Sequence, residues 1–92
     1  MTERLELEAR LDLTASERLV TQLAEARGKA ITLDASAVDH LGAHAVQTLL
    51  VARTAWERDQ NSFVIEALSD RAGAALATLG IDPAELSWEA SI

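Results

Sequence analysis

The chain has 92 residues, which is enough for one domain with a modest hydrophobic core. Fifteen Asp and Glu residues against eight Lys and Arg give a net charge of −7, and the cations are scattered along the sequence. Binding to nucleic acid or to an anionic membrane needs several cations on one face, so the composition argues against both roles. A charged partner surface is expected to be basic.

Several other classes of protein are disfavoured by the residue types present. There is no cysteine, which excludes disulfides, thiolate zinc sites and a cysteine nucleophile. Residues 1–10 lack the pattern of a signal peptide, and no apolar stretch approaches the roughly 20 residues that a membrane span requires. We therefore expect a cytoplasmic protein without membrane insertion, in which residues 1–92 form a single domain.

The first third of the chain predicts a strand followed by a helix. Residues 3–9 alternate between apolar and acidic side chains, as in a half-buried strand, and Leu11 and Leu13 extend this alternation across a turn. Thr14 and Glu17 have the spacing of a capping box, which predicts a helix capped by Thr14. Gly28 is expected to end this helix. Its apolar stripe comprises Leu19, Val20, Leu23, Ala24 and Ala26.

The middle third predicts a buried strand, a loop and a second helix. Residues 30–33 are apolar and lie between two helices, which is typical of a central strand. Residues 34–42 have no regular period and are interpreted as a connecting loop. Residues 43–59 have helical periodicity, and residues 62–65 have strong strand propensity. The predicted buried side of the helix comprises Ala45, Val46, Leu49, Leu50, Ala52 and Trp56, and its exposed side comprises Arg53, Glu57, Arg58 and Asp59.

The last third predicts a short helix. Ser69 is a favourable N-cap residue, and Asp70 would lie in the first turn, where the helix dipole stabilises a negative charge. Gly80 is expected to end the helix in the left-handed conformation, and Pro83 to begin one more helical turn. The predicted buried stripe comprises Ala72, Ala75, Leu76 and Leu79. The order strand–helix, repeated three times, indicates an α/β fold: a small, mostly parallel or mixed β-sheet with helices packed largely on one face.

The order of elements and the sequence of residues 31–50, ITLDASAVDHLGAHAVQTLL, resemble the STAS domain, the family of anti-sigma-factor antagonists. The strand match is ITLDASAV, residues 31–38, and the helix match is VQTLLVA, residues 46–52. Residues 69–81, SDRAGAALATLGI, match a second short helix closed by glycine. The resemblance places the family's Asp-Ser-Ser-Gly pattern on GAHA, residues 42–45. The phosphoacceptor serine would then correspond to Ala43.

The resemblance implies a protein-binding domain that is not an enzyme and needs no cofactor. In switching members, a kinase phosphorylates the serine and breaks the complex. Ala43 has no hydroxyl group, so this position cannot be phosphorylated. Two explanations stay open: a constitutive binder, or a different alignment of the corner. Of the nearest hydroxyl groups, that of Ser36 is interpreted as capping or bracing the loop, and that of Thr48 as lying against the helix backbone or in solvent. Asp34 is interpreted as a turn-forming residue at the end of the strand.

The corner between the strand and the helix contains the candidate partner-binding residues. Gly42 is expected either to be an N-cap or to allow close approach of a partner backbone, and the free amides of the first helical turn attract anions. His44 and Gln47 are three residues apart and share a helix face. A metal site is not predicted, because His40, His44 and Asp39 lack a fourth ligand. The candidate set is Asp39, His40, Gly42, Ala43, His44 and Gln47.

Three functions are compatible with the sequence. The first is a regulatory adaptor that binds a GHKL-type kinase, an anti-sigma factor or a chemotaxis protein. The second is the STAS subunit of a lipid-transporting ABC transporter, where the domain would brace the ABC ATPase without any phosphorylation. The third is a homodimer in which the exposed part of the helix at residues 43–59 pairs with itself. A catalytic set of Ser36, His40 and Asp39 is not expected, since no oxyanion-hole motif accompanies it.

Overall fold

The computed structural model describes residues 2–90, so residues 1, 91 and 92 of the predicted 1–92 domain lie outside the described part. Strands and helices alternate along the chain. The strands are β1 (Thr2–Glu6), β2 (Arg10–Leu11), β3 (Ala30–Asp34), β4 (His40–Leu41) and β5 (Phe63–Glu66). The helices are α1 (Leu13–Glu25), α2 (Ala43–Arg58), α3 (Asp70–Thr78) and a 3-10 turn at Pro83–Leu86. No helix within residues 2–90 is long and apolar enough to cross a bilayer.

The main sheet is parallel, with β3 between β1 and β5. Leu33 is in register with Leu5 on one side and Ile65 on the other. Paired residues share a face of a parallel sheet. On the face that carries Leu33, the side chains of Ile31, Leu33 and Phe63 are almost fully buried. The three helices pack into the same core. The predicted α/β fold, with helices largely on one face and 30–33 as the central strand, is confirmed.

The opposite face of the sheet is open and polar. Arg4 of β1, Thr32 of β3 and Val64 of β5 are in register there. The Arg4 guanidinium reaches across all three strands, with one nitrogen 3.0 Å from an Asp34 carboxylate oxygen and another paired with Glu66. These ion pairs raise the pKa of Arg4, the contact with Glu66 having the larger effect. This face therefore carries a charge network in place of a helix layer.

A second, two-stranded parallel sheet joins β2 to β4, and it corrects two predictions. Leu11 lies in β2 and is paired with Leu41, whereas Leu13 is the first residue of α1 and no part of a strand. Residues 34–42 therefore contain a strand and are not loop throughout. Two residues are too few to show a period of two, which is why the pattern missed both strands.

The start of α1 differs from the predicted one. The N-cap is Asp12 and not Thr14, since an Asp12 carboxylate oxygen accepts a hydrogen bond from the Ala15 amide at 2.9 Å. Asp12 is as favourable a cap as Thr14 would be, and it lets Leu13 enter the first turn. The predicted burial of Val20 and Ala24 is also wrong: both are exposed in the groove between α1 and α2, Val20 at 54%.

Two further burial predictions are wrong. Leu79 follows the last residue of α3 and is 47% exposed, because it is at the edge of the apolar stripe. Arg53 was expected in water but is half-buried, with its guanidinium Nε 3.4 Å from the Ser87 carbonyl oxygen. The end of α3 is as predicted: Gly80 has φ +73°, and the Ile81 amide donates to the Leu76 carbonyl at 2.9 Å.

Trp56 anchors α2 to the sheet. Its side chain is 2% exposed, and its ring lies 5.5 Å from that of Phe63 in a tilted arrangement. The indole N–H donates to the Lys29 carbonyl at 2.7 Å, just before β3 begins. The Arg27 guanidinium covers the ring 5.6 Å from its centre. One side chain thus connects the end of α1, the start of β3 and β5.

We expect Trp56→Phe to lower the free energy of unfolding by about 1–3 kcal/mol, because the Lys29 carbonyl loses its donor and the smaller ring leaves a void. Urea unfolding followed by circular dichroism measures this. Trp88→Phe is the matched control, since Trp88 is half-buried and joins Phe63 through backbone hydrogen bonds that the substitution retains. An equal loss in both variants would contradict the anchoring role of Trp56.

Two carboxyl groups near the start of α1 are stabilised as anions. The hydrogen bond from the Ala15 amide lowers the pKa of Asp12, and the hydrogen bond from the Arg18 guanidinium lowers the pKa of Glu8. The folded protein therefore binds fewer protons here than the unfolded chain does. Their stabilising contribution is present above the ordinary carboxyl range of about pH 4 and is lost as the pH falls through the folded pKa values.

Asp12→Asn tests this linkage, because Asn retains the cap acceptor but does not titrate. We expect the melting temperature of the wild type to fall more steeply than that of Asp12→Asn as the pH is lowered from about 7 to about 3. Thermal unfolding at a series of pH values measures both curves. Parallel curves would show that Asp12 does not contribute to acid sensitivity.

Candidate functional site

The β2–β4 pair builds the corner that the sequence singled out. The backbone amides of Asp39 and His40 both donate to the Ala9 carbonyl, at 2.7 and 3.0 Å. The Gly42 amide donates to the Leu11 carbonyl at 3.0 Å, directly after β4 ends. Since β2 precedes α1 as β4 precedes α2, the first turns of the two helices lie at the same end of the molecule.

Gly42 is the N-cap of α2, as the sequence predicts, but it has no side chain with which to cap the helix. A β-carbon at this position would lie 3.0 Å from the Leu11 carbonyl oxygen and 3.7 Å from the imidazole Nε2 of His40. The first contact is tighter than a β-carbon normally makes. A residue with a side chain at this position would therefore require a small movement of β2 against β4.

The candidate residues border two concavities, one on each side of the start of α2. The larger one, of about 440 Å³, lies between the corner and α3. Its lining comprises Asp39, His40, Leu41, Gly42, Ala43, Arg71, Ala75, Thr78 and Leu79. The smaller one, of about 340 Å³, is lined by Ala43, His44 and Gln47. The structure thus places Asp39, His40 and Gly42 on one side and His44 and Gln47 on the other, and Ala43 borders both concavities.

The larger concavity has polar and charged groups at its edge. The Arg71 Nε is 3.6 Å from an Asp39 carboxylate oxygen, and both side chains are more than 70% exposed. His40 and Ala43 are exposed as well. An exposed ion pair contributes little to stability, so both groups are available to a partner. The arrangement suits recognition of a protein surface by hydrogen bonds and charge.

The wall formed by α3 was not predicted as part of the site. Arg71, Thr78 and Leu79 lie about thirty residues further along the chain than the corner. The opposite charges of Asp39 and Arg71 are the only signal in the sequence that relates the two segments. The exposure of Leu79, which the helical stripe had placed in the core, is explained by its place in this wall.

Ser69 fastens α3 beside the corner. Its hydroxyl donates to the Val38 carbonyl at 2.5 Å and accepts from the Ala72 amide at 3.1 Å, and its own amide donates to the Ala35 carbonyl at 3.3 Å. The residue was predicted as an N-cap, which is confirmed. Its bond to Val38 adds a tie between the helix and the segment leading into β4, and so maintains the width of the larger concavity.

Asp34 and Thr48 each form a hydrogen bond with the local backbone. An Asp34 carboxylate oxygen accepts from the Ser36 amide at 2.9 Å, which is the predicted turn, and this hydrogen bond lowers the pKa of Asp34. The Thr48 hydroxyl donates to the His44 carbonyl at 2.9 Å, also as predicted. Within residues 2–90, no three His, Asp or Glu side chains are grouped in a way that would hold a metal ion.

Comparison with known proteins identifies one family. A family model described as "Mlab, STAS domain" matches residues 2–86, which is nearly the whole chain. No curated protein and no solved structure matches the sequence. The match includes every strand and helix described above and the whole corner.

We expect Ser69→Ala to lower the free energy of unfolding by about 1–2 kcal/mol, because α3 loses its cap and its tie to Val38. Ser69→Asp separates the two effects, since a carboxylate still accepts from the Ala72 amide but cannot donate to the Val38 carbonyl. Urea unfolding should place Ser69→Asp between the wild type and Ser69→Ala. A Ser69→Asp variant as stable as the wild type would show that the tie to Val38 contributes nothing.

Proposed function

This chain belongs to the STAS domain family, and on that premise we propose that it is a non-enzymatic adaptor in bacterial signalling. STAS domains are generally non-catalytic and commonly act in regulation by binding other proteins. The observation that carries the proposal is the exposed corner, where Ala43, the first residue of α2, borders a concavity on each side. A partner centred on Ala43 contacts Asp39, His40 and Gly42 on one side and His44 and Gln47 on the other.

Binding at this corner would be constitutive. A phosphate group on the first turn of α2 would add a charge of about −1.5 to −2 to the surface that the partner covers. Ala43 cannot carry one, and the first turn of α2 contains no acidic residue. The free amides of this turn therefore stay accessible to a carbonyl or carboxylate group of the partner. The adaptor would remain in the form that binds.

The proposed partner is a regulatory protein of the cytoplasm: a GHKL-type kinase, an anti-sigma factor or a chemotaxis protein. The net charge of −7 favours a basic partner surface, which would be attracted over a distance before contact. No cofactor or metal takes part in this function. The chain acts as one domain, whose α3 wall positions the partner against the corner.

A second function is compatible with the matching family and with Ala43. The description "Mlab, STAS domain" specifies neither a sigma factor nor a chemotaxis role. A subunit of a lipid-transporting ABC transporter that braces the ATPase needs no phosphoacceptor, which agrees with Ala43. The same corner would then contact the ATPase.

Ala43→Glu tests the corner. The exposed position and the positive end of the helix dipole favour an acidic side chain there, so we expect an unchanged or slightly raised melting temperature. We expect the dissociation constant for the partner to rise about tenfold or more, because the longer side chain would fill the interface and its carboxylate would cover the free amides offered to the partner. Ala77→Glu, on the exposed side of α3 outside the concavity, is the matched control.

The partner is obtained by affinity purification of the tagged wild-type protein from its own host, followed by mass spectrometry and titration calorimetry of the purified pair. A kinase, anti-sigma factor or chemotaxis protein that loses affinity for Ala43→Glu alone supports the adaptor. An ABC ATPase with the same behaviour supports the transporter subunit. A partner that binds Ala43→Glu as tightly as the wild type would show that the corner is not the interface.

A further inference from the structure

A shallow apolar groove of about 350 Å³ separates α1 from α2. Four large apolar side chains are exposed within residues 2–90, and two of them line this groove: Val20 at 54% and Val51 at 61%. A third, Leu13 at 55%, lies two helical turns before Val20 and so on the same side of α1. Clustered exposed apolar side chains of this kind mark an interaction surface.

We propose that this groove is the interface of a symmetric homodimer, in which α1 of each copy packs antiparallel against α1 of the other. The reason for choosing a second copy is a pattern of residues along α1 and the turn that follows it. Glu17, Val20 and Ala24 lie on α1, and Arg27 lies in the turn, two residues after the helix ends. The four follow one another at intervals of three, four and three residues. The intervals are the same when the pattern is read in either direction. The pattern begins with an acidic residue, continues with two apolar residues and ends with a basic one.

A two-fold axis at the midpoint of this pattern makes the surface complementary to itself. At 1.5 Å per residue, Val20 and Ala24 each lie about 3 Å from the midpoint, and Glu17 lies about 7.5 Å from it. Arg27 is five residues from the midpoint on the other side, in the turn that continues α1 through the hydrogen bond from its amide to the Ala24 carbonyl. In an antiparallel pair, Glu17 of one copy therefore faces Arg27 of the other. Val20 faces Ala24 in the same way, so a larger side chain meets a smaller one.

The second helix fits the same axis. Because Leu11 pairs with Leu41, α1 and α2 start at equivalent positions, thirty residues apart in the sequence. The midpoint at residue 22 of α1 thus corresponds to residue 52 of α2. Val51, the most exposed large apolar side chain within residues 2–90, lies about one residue, or 1.5 Å, from that level. Val51 of one copy would therefore contact Val51 of the other.

The charge distribution permits this contact in spite of the acidic composition. Arg27 is the only ionisable residue that lines the groove. It is held by Asp59, with a nitrogen 2.8 Å from a carboxylate oxygen, and is still half exposed. Glu17 is exposed and forms no ion pair within residues 2–90. Exposed ion pairs contribute little, so the apolar contacts dominate and the Glu17–Arg27 pair determines the orientation.

The interface is small, and both copies carry a net charge of −7. The two helices are about 20 and 24 Å long, which gives a contact at the low end of specific interfaces. We therefore expect a weak dimer that dissociates on dilution. Added salt should strengthen it, because screening reduces the repulsion between the two acidic copies.

Sedimentation velocity over a concentration series tests the association of the purified chain. We expect dimer at high micromolar concentration in the wild type, and a dissociation constant about tenfold or more higher for Val51→Asp. Leu79→Asp is the matched control, since Leu79 is the fourth exposed large apolar residue and lies outside the groove, in the wall of the corner concavity. Circular dichroism establishes that both variants are folded.

Cysteine cross-linking tests the geometry, because the natural sequence contains no cysteine. Val51→Cys should form a covalent dimer under mild oxidation much faster than Leu79→Cys does. A mixture of Val20→Cys and Ala24→Cys chains should cross-link to each other faster than either does alone. A wild type that is monomeric at every concentration, or equal rates for Val51→Cys and Leu79→Cys, would overturn the proposal. Ala43→Glu should leave the dimer intact, which separates this interface from the corner.

Discussion

The hydrogen bond from the Gly42 amide to the Leu11 carbonyl, 3.0 Å long, is the contact on which the functional surfaces depend. It lies where β2 and β4 end and where α1 and α2 are about to begin. With the Leu11–Leu41 pairing, it starts both helices at the same level and sends them in parallel away from the corner. A side chain at residue 42 would press on this contact, since its β-carbon would lie 3.0 Å from the Leu11 oxygen.

Because α1 and α2 begin at the same level and run side by side, α2 contributes to two separate surfaces. At its first turn, α2 presents Ala43 between two concavities, and further along it presents Val51 to the groove. Gln47 lines both the smaller concavity and the groove. A partner at the corner and a second copy in the groove would therefore compete for Gln47, while the α3 side of the corner stays open to the partner.

The elements predicted correctly carry local signals, and those missed depend on distant contacts. The cap of α3 at Ser69 and the apolar run of β3 can each be identified within a few residues. The pairing of β2 with β4 cannot, because each strand has two residues and is held by a segment thirty positions away. The same limit applies to the site: the corner has a recognisable sequence, whereas the wall that Arg71 and Leu79 provide exists only after α3 has packed.

Ala43 has no hydroxyl group, so the corner cannot be regulated by a phosphate group at this position. The concentration of the chain can still control binding at the corner. If a weak dimer covers Gln47, the fraction of chains with an uncovered Gln47 falls as the concentration of the chain rises. At low concentration the monomer presents the whole corner, and at high concentration the second copy occupies its Gln47 side. The groove would thus provide a regulation that Ala43 cannot.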